Sequence, residues 1–383
     1  MISAAEFAAY NREVAKIGDR AATDVESSVL SWCRSHEGAT VAEKREAAKL
    51  IMEGFVQGYD DVAAEFAAQW YDHRAEQGGA RLEQAVTMTT YRPDAVDAVA
   101  RYQAKKLAKG GDAEFARACG EFARDDAFRS LNETISANVG RDKEKGVRFA
   151  RVPTGFETCT FCLMLASRGA VYHTRKAAGE FKHFHRRCDC KIVPGFEDDP
   201  DAELVEGVRP KELRERYRVI KQIDAREDLA ASDKRELEGR ALRVDVGSIA
   251  GKKLGSVKYA KPRDSLEEHE KAGIDYLLLN GFDVETVDED PHAPANLDIS
   301  MNGELWEMKN LTNCASSVSN QVKRARIKWF KLGLSSPSRC VFTNEGNEDG
   351  FNETCAALEK RRRPGEVFLV VSSSGVVRVL NDK

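Results

Sequence analysis

No stretch of this chain approaches the ~18 uninterrupted apolar residues that a membrane helix needs, and none of its 383 residues falls in an internal repeat or a low-complexity tract. The opening Met1-Ile2-Ser3-Ala4-Ala5-Glu6 lacks the charged-then-apolar order of a signal peptide, so nothing here directs export by the usual route. An excess of one charge is also missing. With 59 Lys and Arg against 63 Asp and Glu, the formal net charge is -4, which excludes a chain-wide nucleic-acid coat and leaves room for a local basic patch. The length is too great for one ordinary core, so two or more domains are expected, and 42% hydrophobic residues are enough to fold them.

The first ~145 residues carry helical periodicity. Ser3 with Glu6 reads as a capping box. Phe7, Tyr10, Val14, Ile17, Ala21, Val25, Val29 and Trp32 then recur every three or four residues, as one face of a helix does. Thr40 with Glu43 opens a second run, with Leu50, Ile51, Phe55, Tyr59, Val62, Phe66 and Trp70 on its apolar side and Gly78-Gly79 as its stop. Further helices are expected over roughly 94–109 and 112–138. The stripes read as packing surfaces.

Nine cysteines are present, and their placement matters more than their number. Cys159-Thr160-Phe161-Cys162 is followed by His185-Arg186-Arg187-Cys188-Asp189-Cys190, a clustering that reads as a metal site and not as a disulfide framework. Tetrahedral zinc takes four sulfur or imidazole ligands. Cys159, Cys162 and Cys188 fill three places, His185 and Cys190 compete for the fourth, and His183 and His173 stand outside. No residue in the segment stands out as a general base, so the zinc is expected to be structural.

The run from Val147 to Gly155, Cys159-x-x-Cys162 with Leu163 to Gly169, His185-x-x-Cys188-x-Cys190 and Val193-Pro194 resembles the head-morphogenesis family related to the F protein of phage Mu. The resemblance spans about residues 1–220. It implies a minor phage-head component in low copy near the portal, with portal or capsid proteins as partners and the virion or the bacterial cytoplasm as its place. It also implies metal ligation by four of the five residues Cys159, Cys162, His185, Cys188 and Cys190.

Residues 197–262 are highly charged and read as a solvated helical linker. Beyond them helix and strand patterns alternate. Leu297-Asp298-Ile299-Ser300-Met301 and Glu304-Leu305-Trp306-Glu307-Met308-Lys309 flank Asn302-Gly303, the strongest short hairpin-turn signal. A two-residue turn pairs Met301 with Glu304, Ile299 with Trp306 and Leu297 with Met308. Asp298 then lies opposite Glu307, with Lys309 on the same face. Two carboxylates directly opposite each other repel. A divalent cation such as magnesium would turn that repulsion into ligation, and Lys309 would serve the attacking water. The bland alternative is a solvent-facing hairpin with hydrated charges. A helix at about 315–332 has no acidic residue and carries Gln321, Arg324 and Lys328 on one stripe, a candidate face for nucleic-acid phosphates.

The order of a helix at 264–280 (Ser265 and Glu268 as its cap), a strand at Asp283–Val287, the hairpin, a helix, and strands near 339–343 and 366–380 around another helix resembles the PD-(D/E)xK nuclease fold. The similarity is greatest to tRNA-cleaving toxin domains of contact-dependent growth inhibition, through Gly281-Phe282-Asp283-Val284, Leu297-Asp298-Ile299 and Glu307-x-Lys309. Pro294 is displaced from the family's position. The resemblance implies catalysis by Asp298, Glu307 and Lys309 and an added acid from the first helix, with Glu270 chosen over Glu267 and Glu268. It also implies tRNA as substrate, a cognate immunity protein and delivery into a target cell. The expected chain is therefore multidomain: a helical head-protein-like region at 1–146, a zinc-knuckle-like segment at 147–196, a linker at 197–262 and an α/β nuclease domain with a mixed sheet at 263–383. The alternatives are an inactive structural head protein or a DNA endonuclease.

Overall fold

The computed structural model describes residues 1–109, 111–154, 158–174, 176–179, 190–311, 314–344 and 348–382. The chain divides into two compact units, Met1–Arg214 and Glu215–Lys383.

In the first unit three long helices pack together: α1 (Ala4–Ser35), α2 (Val41–Gln77) and α4 (Asp112–Asp142). A shorter helix, α3 (Pro93–Gln103), leads into 3-10 turns over Ala104–Lys109. Ser3 caps α1 by accepting from the Glu6 N–H at 3.1 Å, but the Glu6 carboxylate turns to Gln77 and His73 of α2 instead of closing a box. Thr40 and Glu43 do form the full box. The stripe of α1 holds from Phe7 to Val29, with Gly18 and Cys33 buried where Ile17 and Trp32 were expected. The stripe of α2 is out of phase. Leu50 and Val62 are exposed at 59% and 52%; Trp70 is buried as expected, and Ala48, Met52, Val56, Ala63, Ala64, Ala67 and Ala68 supply most of the buried face before it. Small residues win because α2 touches both α1 and α4, and close backbones leave no room for long side chains. The same closeness is seen at Gly120, where a Cβ would stand 2.5 Å from the Ala22 carbonyl oxygen.

Between α2 and α3 the chain runs extended along α4 and is held by helix side chains. Val86 N–H donates to Asn138 Oδ1 (3.0 Å), and Asn138 Nδ2 donates back to the Val86 carbonyl (2.8 Å). Met88 exchanges the same pair of bonds with the Thr134 hydroxyl. Thr90 N–H donates to Ser130 Oγ, and Arg92 pairs with Asp126 at 2.5 Å. Two extended residues advance about 6.7 Å and four helical residues about 6 Å, so every second residue of the strap meets every fourth of the helix. Ser130, Thr134 and Asn138 are fully buried. Replacing Asn138 by Ala removes both strap hydrogen bonds to Val86 and a third to the Thr134 carbonyl. The expected loss is about 2–3 kcal/mol of stability, read as a fall in the midpoint of thermal unfolding; an unchanged midpoint would show that the strap contributes nothing.

The segment from 147 to 196 is no separate domain. Strands β1 (Arg148–Val152) and β2 (Lys191–Gly195) pair antiparallel, with Phe149 opposite Pro194. Phe149, Val152, Ile192 and Val193 join Val14, Tyr71 and Leu131 in one core. A short helix, α5 (Thr160–Ala166), follows β1.

The charged stretch 197–262 is not one solvated linker either. The division between the units falls within α6 (Pro210–Asp224). Helices α7 (Ala231–Ala241) and α8 (Val246–Ile249) belong to the second unit and bury Leu237, Ala241, Val246 and Ile249. Many of the charges are paired near the surface, and one pairing reaches the core. Arg240 and Arg263 both contact the buried Asp275 at 2.8 Å.

The second unit is built on a seven-stranded mixed sheet. In spatial order its strands are β3 (Val257–Lys258), β4 (Val284–Thr286), β5 (Ile299–Met301), β6 (Glu304–Leu311), β7 (Arg339–Asn344), β8 (Val367–Val371) and β9 (Val377–Leu380). β4, β5 and β6 form an antiparallel meander, and β7 and β8 continue parallel to β6. Helix α10 (Cys314–Lys331) buries Val318, Val322 and Ala325 against Leu311, Cys340, Phe342 and Phe368, together with α11 (Glu348–Glu359). Helix α9 (Glu268–Leu279) covers the opposite face, with Gly273 set against Met308 and Thr343. Its cap is Glu267 with Glu270, not Ser265 with Glu268, because Ser265 is taken into a preceding 3-10 turn.

Candidate active site

The β5–β6 turn fixes the site. Asn302 and Gly303 both adopt left-handed backbone angles (φ 53° and 76°), as a two-residue hairpin turn requires. Met301 pairs with Glu304 and Ile299 with Trp306, and the Asp298 N–H donates to the Trp306 carbonyl at 3.1 Å. That register sets Asp298 against Glu307. Leu297, Ile299, Met301, Trp306 and Met308 are buried. β6 continues past its pairing with β5, and Asp298 Oδ2 accepts from the Met308 N–H at 2.6 Å. The Asp298 carboxylate thus closes the ladder where the strands part, and it holds its own position by doing so.

Glu307 is fully buried, on a strand paired on both sides and roofed by α10. Two ammonium groups meet it. Lys309 pairs with it from the same strand. Lys328 of α10 stands 2.6 Å from Oε1 and 2.9 Å from Oε2, and 3.9 Å from Asp298 Oδ1. A positive charge therefore already lies between the two carboxylates. Burial, with Asp298 adding to it, pushes the Glu307 carboxyl above the usual range despite both lysines. Burial draws the Lys328 ammonium down, but Glu307 and Asp298 outweigh it and hold it above its ordinary value.

Beside this cluster opens a cleft of about 440 Å³, to which Lys309, Gln321, Arg324 and Lys328 all contribute, with His269, Met308, Asn310 and Ile327 also in its wall. The residues read from sequence as a phosphate-facing stripe thus share one cavity with Lys309. Lys328 was expected to face substrate, yet it sits on the carboxylates. Among the described residues no hydrogen bond or ion pair joins Glu270 to them; its carboxylate accepts from the Glu267 N–H at 2.9 Å to cap α9. His269 was missed, and no periodic or spacing signal pointed to it. Its ring pairs with Glu267 at 3.2 Å.

In the first unit Cys159 caps α5, its sulfur accepting from the Cys162 N–H at 3.3 Å. Cys162 is buried, with the Arg151 guanidinium 3.6 Å from its sulfur. Cys190 is also buried, one residue before β2. His185, Cys188 and His183 lie outside the described residues. His173 is engaged with the Val147 carbonyl at 3.0 Å. Among the described residues no group of three His, Cys, Asp or Glu side chains is placed to hold a metal ion, and no helix is long and apolar enough to cross a membrane.

Residues 1–220 match the family described as VG15 protein. The chain belongs to the VG15 family. It is 33% identical to the Gene 15 protein of Mycobacterium phage L5 over a match that covers 22% of this chain and 40% of that protein. The relationship shown is thus to a phage protein, and the chain matches well under half the length of that relative. No solved structure matches. The VG15 match contains the helices, the β1–β2 pair and the Cys/His segment; the cleft and its carboxylates lie beyond it.

Proposed function

We propose that the C-terminal unit is a metal-dependent nuclease of the PD-(D/E)xK type, carried by a phage VG15-family protein. The observation that carries this reading is the opposition of Asp298 and Glu307 with a cation between them. The site already accommodates positive charge at the point where two carboxylates converge, which is the fit a divalent ion needs. Asp298 and Glu307 would hold magnesium, which when bound neutralises phosphate charge and lowers the pKa of water. Lys309, which lines the cleft, would orient the attacking water. Gln321 and Arg324 would hold phosphate oxygens. Lys328 competes for the same carboxylates and lines the same cleft, so it would turn to phosphate when they are occupied. By its resemblance to growth-inhibition toxins the substrate would be tRNA, with an immunity protein as partner and delivery into a target cell.

The test is incubation of the full chain with tRNA, single-stranded DNA and duplex DNA, with magnesium and with chelator. Magnesium-dependent cleavage of any of them supports the reading, and the preferred substrate separates tRNase from DNase. Intact substrates under all conditions remove it. One observation favours a second reading, in which the C-terminal unit does not cut. Lys309 and Lys328 neutralise Glu307 unaided, so the cluster is satisfied without metal. In that case magnesium would leave the unfolding midpoint unchanged.

For the N-terminal unit we propose a minor head component that contacts portal or capsid proteins in the virion, supported by the VG15 match. Four of the five residues Cys159, Cys162, His185, Cys188 and Cys190 would hold a structural zinc. The Cys162 N–H directed at the Cys159 sulfur and the Arg151 guanidinium at Cys162 both favour thiolate. Metal analysis of the purified full chain should find about one zinc per chain, falling on replacement of Cys159 and Cys162 by Ser; a metal-free folded chain would end this assignment.

A further inference from the structure

Helix α10 presents a second feature on the outer side of the cleft. Phe330 is 86% exposed, the most exposed of the large hydrophobic side chains among the described residues. A phenyl ring left in water at the end of a well-packed helix is not needed for folding, since Val318, Val322, Ala325 and Trp329 already fill the core side. Ile327, one turn before it and 45% exposed, forms part of the cleft wall. An apolar strip therefore leads from the cleft to the ring.

Cations border that strip. Lys323 lies two turns before Phe330 on the same side, Arg324 lines the cleft, and Lys331 follows the ring. All three are exposed, and none is in an ion pair among the described residues. Arg326, by contrast, is bound to Glu366 at 2.6 Å and is structural. The helix has no acidic residue at all. A partner with negative charge at regular intervals and flat apolar faces between them is complementary to this surface. A nucleic-acid strand with unstacked bases is such a partner, because exposed aromatics take bases by their π-faces while nearby cations follow the backbone. A duplex is not, since its bases are already stacked.

We propose that Phe330 is a stacking platform for an unpaired nucleobase, with Lys323, Arg324 and Lys331 along the adjoining phosphates, so that the cleft is fed by single-stranded or looped nucleic acid. This rests on the nuclease reading for the meaning of the cleft, but binding tests it without any cleavage. The probes are a short fluorescent single-stranded RNA, the DNA of the same sequence, and the duplex of that DNA, titrated with the full chain in chelator. The expected result is tighter binding of both single strands than of the duplex. Phe330→Ala should weaken single-strand binding by about 10-fold and leave duplex binding unchanged, with Phe330→Trp restoring it. Lys331→Ala should lower the salt slope by about one for all probes. Equal losses on single strand and duplex, or no loss at all, overturn the proposal. So does a change in sedimentation of the chain alone on Phe330→Ala, which would assign the ring to self-association. If the chain binds single strands through Phe330 yet never cuts, the platform stands and the nuclease reading falls. If it cuts and binds with no regard to Phe330, the reverse holds.

Discussion

Glu307→Gln should reduce nucleic-acid cleavage by about a thousandfold, the equivalent of the several kcal/mol that a catalytic metal supplies. The substitution keeps the shape of a fully buried side chain and removes only the charge that would bind the ion. Glu304→Gln, at the head of the same strand, is the control: its carboxylate is half exposed and pairs with Arg339 at 2.6 Å, away from Asp298. It should leave cleavage unchanged. A pH profile gives an independent reading. The Glu307 carboxyl is raised by burial and by Asp298, and a protonated carboxyl does not bind a metal. Cleavage should therefore fall as pH drops through that raised value, and more magnesium should move the fall to lower pH. Equal activity of the Glu307 and Glu304 variants would show that the hairpin is a charged surface feature and no catalytic site.

The second large effect lies in the helical unit. Asp60 of α2 is fully buried, and neither carboxylate oxygen has a well-formed hydrogen bond among the described residues. Burial pushes its carboxyl up to about 8, with Asp126 and Asp61 adding to the rise and Ser130 and Arg92 offsetting part of it. The folded value is above the unfolded one, so the folded state binds the extra proton. Stability is then fully present below about pH 4 and is lost as pH rises through about 8. Asp60→Asn keeps the size and removes the titration. Between pH 6 and 9 the native chain should lose about 2–4 kcal/mol relative to this variant, at ~1.4 kcal/mol per pKa unit over that range. Calorimetric unfolding across that pH range is the measurement; parallel curves for the two proteins would sink the idea.

How much of this was legible beforehand depended on how local the physics was. The Asn302-Gly303 turn depends on two residues that tolerate positive φ, so the register that sets Asp298 against Glu307 could be read from a short stretch. The basic stripe on α10 was equally local, and Gln321, Arg324 and Lys328 do share one cleft. What failed was set by partners distant in sequence. The stripe on α2 was misread because a helix with neighbours on two sides buries alanines ahead of leucine. The stretch 197–262 looked solvated because nothing in it shows that Arg240 finds its carboxylate, Asp275, on a later helix. Lys328 looked free for substrate because nothing in its own helix reveals Glu307 beneath it. Ser130, Thr134 and Asn138 are fully buried under the strap, and nothing in their own helix announces that partner.

That strap divides the burden of mutation unevenly. Thr90 adds its own hydroxyl to the Ser130 contact, but Val86 and Met88 are gripped by their main-chain N–H groups and carbonyls. Most side chains would supply the same groups there, so these positions are free to drift. Ser130, Thr134 and Asn138 hold the strap with their own side-chain atoms, and few residue types can replace them. The helix therefore stores the instruction for a segment whose own letters say little about its path. Variation in this protein should accumulate along the strap while its record stays on α4.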